Sequence, residues 1–181
     1  MLRDKVEQRW QDPDTLLPPS PKTREETHLR VIKDIAAQRF AFPTPEFPSF
    51  RTYLNAPEPS LVIRTADGRE LAPDIVVAEF PRNVPKILAE VETADTVTEE
   101  EAEKAWRPCS QIPDITFCLY VPSGYGTLAK NILKKLKIKK VGLRTWRYVT
   151  GQEALDITEM DYGGLLELLL PPFLLDRHRP A

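Results

Sequence analysis

The distribution of proline constrains the fold of this chain more than any other feature of its sequence. Eighteen prolines stand against seven glycines, and they concentrate at 12–21, at 42–59 and in the Pro171–Pro172 pair. Proline fixes its own backbone angle and donates no backbone hydrogen bond, so helix interiors and central strands avoid it. We therefore expect these stretches to be extended connectors without regular structure, with the regular elements lying between them.

The length of 181 residues suits one domain. We expect a single domain over 1–181, with a core at about 22–150, a proline-rich N-terminal extension over 1–21 and a leucine-rich tail over 154–181. No apolar run approaches the ~20 residues of a membrane span, and charged residues follow Met1 at once. We therefore expect a cytoplasmic protein with no membrane segment. Its few cysteines are expected to be buried thiols.

Hydrophobic periodicity and turn signals predict the element order α-β-β-β-α-β-α-β. Capping-box spacings at Thr23 and Thr98 predict the starts of the first two helices. The Asp67–Gly68 dipeptide predicts a tight hairpin turn between the first two strands. In chain order we expect a helix over 23–40, strands over 61–63, 71–77 and 87–92, a helix from 98 to 107 that ends at Pro108, a strand over 115–121, a helix over 128–136 and a strand over 141–149.

Three carboxylates are predicted to meet at one edge of the sheet. Alternation along the third strand puts Glu90 and Glu92 on the same side, and Asp74 opens the neighbouring strand. Magnesium prefers carboxylate oxygens, so this cluster predicts a site for Mg²⁺ or Mn²⁺. The alternatives are a solvent-facing side of an edge strand for Glu90 and Glu92, and a turn residue after Pro73 for Asp74.

Pro73–Asp74 and Glu90-Val91-Glu92, on successive strands of this order, resemble the signature of the PD-(D/E)xK nucleases. The resemblance covers about residues 22–149. It implies an α/β fold with a restriction endonuclease-like core, a mixed β-sheet flanked by helices, and metal-dependent hydrolysis of DNA phosphodiester bonds. It also implies that Asp74 and Glu90 are metal ligands and that Glu25, on the first helix, is an additional acidic ligand. Complementing the helix dipole is the alternative role for Glu25.

The sequence departs from this signature where Glu92 replaces the lysine. A carboxylate can ligate a metal or accept a proton, but it cannot supply the positive charge that lysine places beside the attacking water. Some restriction endonucleases of the group carry acid-x-acid here, and other members take a lysine from the following helix. Lys104 is the candidate for that lysine, and an exposed lysine paired with a glutamate one turn earlier is the alternative.

Two functions therefore stay open. One is a magnesium-dependent nuclease with Asp74, Glu90, Glu92 and Lys104 as catalytic residues. The other is a catalytically inactive module with the nuclease fold that binds or scaffolds.

Charge is distributed unevenly, although the formal net charge is only -2. Residues 90–103 include seven acidic and no basic residues, whereas residues 115–152 include eight basic and no acidic ones. Basic side chains neutralise backbone phosphates without reading the base sequence. The run therefore predicts a DNA-binding flank, with a solvated helix face as the alternative. The residues expected to contact nucleic acid are Lys130, Lys134, Lys135, Arg144 and Arg147.

The tail from 154 onward is expected to form a short helix. Leu165, Leu166, Leu168, Leu169 and Leu170 offer more apolar surface than a terminal segment can cover by itself. We expect this surface to dock either on its own domain or on a second copy of the chain, which would make a homodimer.

Overall fold

Within residues 21–149 and 155–160, which the computed structural model describes, the chain forms an α/β fold with one mixed six-stranded β-sheet flanked by helices. The elements are, in chain order, helix α1 (Pro21–Arg39), strands β1 (Phe50–Leu54), β2 (Ile63–Arg64), β3 (Glu70–Leu71), β4 (Ile75–Glu79) and β5 (Val84–Val91), helix α2 (Glu99–Glu101), a π-helical turn (Ala102–Trp106), helix α3 (Arg107–Ser110), strand β6 (Thr116–Pro122), helix α4 (Gly126–Lys135), and strands β7 (Val141–Tyr148) and β8 (Leu155–Glu159).

The strands of the large sheet follow the order β1-β4-β5-β6-β7-β8. Strands β1, β4 and β5 pair antiparallel, β6 and β7 continue the sheet in parallel with β5, and β8 closes it antiparallel to β7. Strands β2 and β3, which come between β1 and β4 in the sequence, form a separate two-stranded hairpin. Strand β5 is thus central, and its carboxyl end lies at the same edge of the sheet as the amino end of β4.

Helices cover both faces of the sheet and bury a cluster of apolar side chains on each. Ile87, Ala89 and Val91 pack with α1 on one face. Leu88 packs with Trp106 and with α4 on the other face. The predicted alternation along β5 is therefore confirmed. Burying one aliphatic side chain stabilises a fold by about 1.5–3 kcal/mol, so two such clusters hold the three layers together.

The hairpin at Asp67–Gly68 is confirmed, and Gly68 has the positive φ of 83° that this turn requires. The strand predicted over 71–77 is instead two strands, β3 and β4, which belong to different sheets. Pro73, which cannot donate a ladder hydrogen bond, lies between them. The expectation that 42–59 has no regular structure is wrong, because β1 occupies the proline-free part of that stretch and pairs along one edge with β4.

The first helix begins at Pro21 rather than at the capping box of Thr23. Proline suits a first turn, where its missing N–H is not needed. Strand β8 was not predicted, since it lies in the segment expected to be a helical tail. The extension over 1–20 and the leucine-rich residues of the tail lie outside the described residues, so the tail helix and the homodimer stay predictions. Among helices in the described part, none combines the length and apolar composition of a membrane span.

We call residues 99–110 the middle helical segment. It begins where the capping box at Thr98 predicts and ends beyond Arg107, the predicted last residue. The side chain of Thr98 accepts a hydrogen bond of 3.1 Å from the Glu101 N–H. The π turn then closes with the Arg107 N–H donating to the Ala102 carbonyl. Pro108 lies in the first turn of α3, where a missing N–H is tolerated, so it does not end the segment. The segment continues to Ser110.

Replacing the cap in Thr98→Ala should lower the free energy of unfolding by about 1 kcal/mol, because one helix-start N–H loses its partner. The matched control is Thr127→Ala, an exposed threonine on α4, which should change stability by less than ~0.5 kcal/mol. Urea unfolding of the three proteins measures both. Equal stabilities for the two variants would contradict a capping role for Thr98.

Candidate functional site

A pocket of about 610 Å³ opens at the carboxyl end of β5. Its lining includes Asp74, Glu90 and Glu92 from the sheet edge, Glu25 from α1 and Lys104 from the middle helical segment. The structure therefore brings together, from separate elements, the residues selected from the sequence as catalytic or metal-binding.

Asp74 lies immediately before β4, and its carboxylate accepts a backbone hydrogen bond from the end of the neighbouring strand, β5. Its Oδ2 atom accepts a hydrogen bond of 2.8 Å from the Val91 N–H. His28 Nε2 lies 2.7 Å from the Val91 carbonyl oxygen and 3.3 Å from Asp74 Oδ2. Because both of these oxygens accept, Nε2 must carry the proton. The hydrogen bond to Asp74 raises the pKa of His28, against the opposing effect of burial.

Glu90 and Glu92 both have carboxyl pKa values above the ordinary 4.5. For Glu90 the largest cause is burial, followed by the negative charges of Asp74 and Glu92. Its carboxyl lies deep in the pocket, with Cys109 Sγ at 3.6 Å, although the residue as a whole is partly exposed. Burial raises the pKa of Glu92 to about 7, opposed by hydrogen bonds from Thr96 and Trp106. Burial is thus the largest cause of the raised pKa for both carboxyls, and neighbouring negative charge adds to it.

Glu92 also joins the sheet to the middle helical segment. Trp106 Nε1 donates a hydrogen bond of 2.6 Å to Glu92 Oε1. Glu92 is 5% exposed and the Trp106 side chain is fully buried. The alternative that placed Glu90 and Glu92 on a solvent-facing edge strand is wrong, since β5 is central and Glu92 is buried.

Lys104 is both paired and part of the pocket. Its Nζ lies 3.6 Å from Glu101 Oε2, and its side chain is 75% exposed. The ion pair with a glutamate one turn earlier is therefore present. The Lys104 side chain is exposed and also lines the pocket, which places it at the pocket mouth. Glu25 is exposed and lines the pocket one turn before His28. Arg24, also in the lining, pairs with Asp95 at 3.0 Å.

Most of the potential ligand atoms in the pocket are carboxylate oxygens, which are the ligands that hard cations prefer. Burial raises the pKa of the Cys109 thiol, which favours its protonated form over the thiolate that binds soft cations. Across the described residues, no three His, Cys, Asp or Glu side chains are already arranged to hold a metal ion. Asp74 Oδ2 and Glu92 Oε1 are engaged in internal hydrogen bonds, so a cation would use the other carboxylate oxygens.

The residues of the predicted DNA-binding flank have different environments. Arg144 is 2% exposed and its Nη2 lies 3.1 Å from Glu159 Oε1, so it cannot contact DNA from solvent. Strand alternation explains this, because Arg144 pairs with Tyr120 and points to the face that α1 covers. Lys135 Nζ pairs with Glu99 Oε1 at 2.6 Å, and Arg147 Nε pairs with Asp156 Oδ2 at 2.8 Å. Lys130 is partly buried on α4, and Lys134 is exposed there.

Three residues of the site were not assigned to it from the sequence. The available sequence signal for His28 is its position one turn after Glu25. Cys109 and Cys118 are free and buried as expected, but Cys109 also contacts Glu90. No sequence signal indicated the hydrogen bond from Trp106 to Glu92, because it depends on the register of a π turn.

The fold and the pocket define an α/β protein with an acidic cleft at the end of a central strand. No protein-family model, no curated protein and no solved structure matches the chain. The function of the pocket must therefore be inferred from its own residues.

Glu92→Gln should make stability less dependent on pH when divalent cations are absent. A carboxyl whose pKa rises from 4.5 to about 7 on folding contributes stability that is complete below pH 4.5 and is lost as pH rises through about 7. Glutamine keeps the acceptor for Trp106 without the charge. In EDTA near pH 8, the variant should be more stable than the wild type by about 1–3 kcal/mol.

Urea unfolding near pH 5 and near pH 8 measures this difference. The control is Glu79→Gln, at the opposite end of β4, which should follow the wild-type curve. Parallel pH curves for the wild type and Glu92→Gln would show that the Glu92 carboxyl does not titrate differently on folding.

Proposed function

We propose that this chain is a nuclease-like protein that hydrolyses phosphodiester bonds of DNA, with Mg²⁺ or Mn²⁺ bound in the acidic pocket. The observation that carries the proposal is the convergence of Asp74, Glu90, Glu92 and Lys104 on one pocket. Each belongs to a chemical type that phosphodiester hydrolysis uses: carboxylates that hold a cation and orient water, and an ammonium group that neutralises phosphate.

The connectivity of the sheet supports a restriction endonuclease-like core. Helix α1 comes first, β1, β4 and β5 form an antiparallel meander, and the middle helical segment leads to β6, which is parallel to β5. This agrees with the helix, three strands, helix and strand that the PD-(D/E)xK resemblance implies. Asp74 lies at the start of the second strand of the meander, and Glu90 lies near the end of the third.

In this proposal Asp74 and Glu90 hold the cation, with Glu25 assisting from α1. When bound, the cation would lower the pKa of a water and offset charge that develops on the phosphate. Asp74 is held in place by Val91 and His28, which orients its carboxylate before any ligand arrives. Glu92 is positioned by hydrogen bonds from Trp106 and Thr96, and its carboxylate could accept a proton or orient a water. Lys104 offers its charge to the phosphate at the pocket mouth.

A second candidate is a binding or scaffolding module with the same fold and no turnover. The observation that favours it concerns Glu92, which occupies the signature lysine position. Its burial and its hydrogen bond to Trp106 also give it a structural role that needs no catalysis. A cleavage assay on mixed DNA substrates with Mg²⁺ separates the two candidates.

Asp74→Asn and Glu90→Gln should each lower the cleavage rate by at least about 10²-fold, because each removes a charge from the cation site. They should also abolish the rise in melting temperature that Mg²⁺ gives to the wild type by binding only the native state. Asparagine can still accept the Val91 N–H through its carbonyl oxygen, so the strand end stays paired. Glu79→Gln is again the control and should retain both effects. Full activity in Asp74→Asn would exclude this site.

Lys104→Gln should lower kcat by about 10²-fold while leaving the magnesium-induced shift in melting temperature unchanged. The side chain is exposed and its ion pair is weak, so stability should change by less than ~0.5 kcal/mol. Lys86→Gln, which removes a partly exposed lysine of β5 paired with Glu79, is the control. An unchanged kcat in Lys104→Gln would mean that the phosphate charge is neutralised by another group.

A further inference from the structure

A second pocket, of about 430 Å³, is lined by the same two elements as the acidic pocket. The β2–β3 hairpin supplies one wall, with residues 70–72 in the acidic pocket and residues between 64 and 69 in the second. The middle helical segment and the loop after it supply the other, with residues 101–109 in the acidic pocket and 108–113 in the second. We call the second pocket, bounded by 64–69 and 108–113, the hairpin cleft. The two pockets are thus lined by neighbouring stretches of the same two elements.

The hairpin wall of the cleft carries two arginines in exchangeable ion pairs. Arg64 Nη2 contacts Glu70 Oε1 at 2.6 Å, and Arg69 Nε contacts Asp67 Oδ2 at 2.7 Å. Both arginine side chains are more than half exposed, at 75% and 59%. Exposed pairs of this kind contribute about 0–1 kcal/mol, whereas a guanidinium binds a phosphate with two parallel hydrogen bonds. A phosphate can therefore compete for these guanidinium groups at little cost.

The opposite wall is mostly apolar, with Pro108, Ile112 and Pro113 beside the amide of Gln111. A nucleic-acid strand presents the complementary pattern, because charged phosphates alternate along it with sugars and bases that have apolar faces. The cleft has the volume of a small-molecule pocket, so it suits a nucleotide-sized unit of one strand rather than a duplex. Because neighbouring residues of the same two elements line both pockets, a strand that leaves one can enter the other.

We propose that the hairpin cleft binds the single nucleic-acid strand that leads out of the acidic pocket, with Arg64 and Arg69 on its phosphates. The direction of the strand rests on the proposed function, in which the acidic pocket holds the phosphodiester to be cut. Binding in the cleft does not itself need turnover. This assigns strand binding to the hairpin, whereas the basic flank on α4, represented by Lys130 and Lys134, lines neither pocket.

The test measures binding of a fluorescein-labelled single-stranded oligonucleotide to the intact chain by fluorescence anisotropy, in EDTA so that no cleavage occurs. The cleft variant is Arg64→Gln/Arg69→Gln and the flank variant is Lys130→Gln/Lys134→Gln. The control is Lys33→Gln/Lys139→Gln, which removes the same charge from two exposed lysines that line neither pocket.

The cleft variant should bind about 10- to 100-fold more weakly, and the slope of log K against log salt should fall by about 1.4, for two phosphate contacts on a single strand. The flank and control variants should stay within about threefold of the wild type. Arg64→Lys/Arg69→Lys keeps the charges but not the paired hydrogen bonds, so its affinity should lie between wild type and the cleft variant. Loss of binding in the flank variant alone, or no binding by the wild type, would overturn the proposal.

Cleavage of bis(p-nitrophenyl) phosphate with Mg²⁺ separates this proposal from the proposed function, because that diester carries no strand to fill the cleft. The cleft variant should keep kcat/KM for it within about twofold. If the wild type cleaves the small diester and the cleft variant binds oligonucleotide normally, strand binding in the cleft is wrong and the nuclease function stands. If the oligonucleotide result holds but the wild type cleaves neither substrate, the cleft stands and the nuclease function is wrong.

Discussion

The backbone groups of Val91 and Glu92, at the end of the central strand, depend on side chains from other parts of the fold. Asp74 accepts the Val91 N–H at 2.8 Å, and His28 approaches the Val91 carbonyl at 2.7 Å. Trp146 Nε1 donates to the Glu92 carbonyl at 3.2 Å. A buried backbone group without a partner costs about 1–3 kcal/mol, so α1, β4 and β7 must lie where these partners can reach. The acidic pocket forms where these contacts meet.

The same contacts explain why the pocket combines structural and chemical roles. Asp74 completes the hydrogen bonding of β5 and also contributes a carboxylate to the pocket. Glu92 anchors Trp106, and its burial holds a carboxyl away from water. Burial is the largest cause of the raised pKa values of Glu90 and Glu92, and neighbouring carboxylates add to it, so ionising these two groups destabilises the fold. A cation in the pocket would offset this cost, because it would favour the ionised carboxylates.

The local parts of this structure could be predicted from the sequence, but the long-range contacts could not. Alternation identified the two faces of β5, and periodicity located β6, α4 and β7 to within about two residues. Strand β1 was missed because its five residues lie between prolines and pair with β4, which is distant in the sequence. The bond between His28 and Asp74 joins residues 46 apart in sequence, and no periodicity encodes that meeting. A pattern shows which face a side chain occupies but not what lies opposite it.

The charge pattern of the sequence has the same limit, because it does not show which basic side chains are paired or buried in the fold. Part of the positive charge in residues 115–152 is paired in the folded chain, because Lys135, Arg144 and Arg147 form ion pairs with acidic residues from other elements. Arg144 is buried, so a phosphate in solvent cannot reach its guanidinium group to replace Glu159. Arg64 and Arg69 come from a segment with no net charge, yet their pairs are exposed and lie beside the acidic pocket. Exposure and pairing in the fold, rather than charge density along the sequence, therefore determine which basic side chains an anion in solvent can reach.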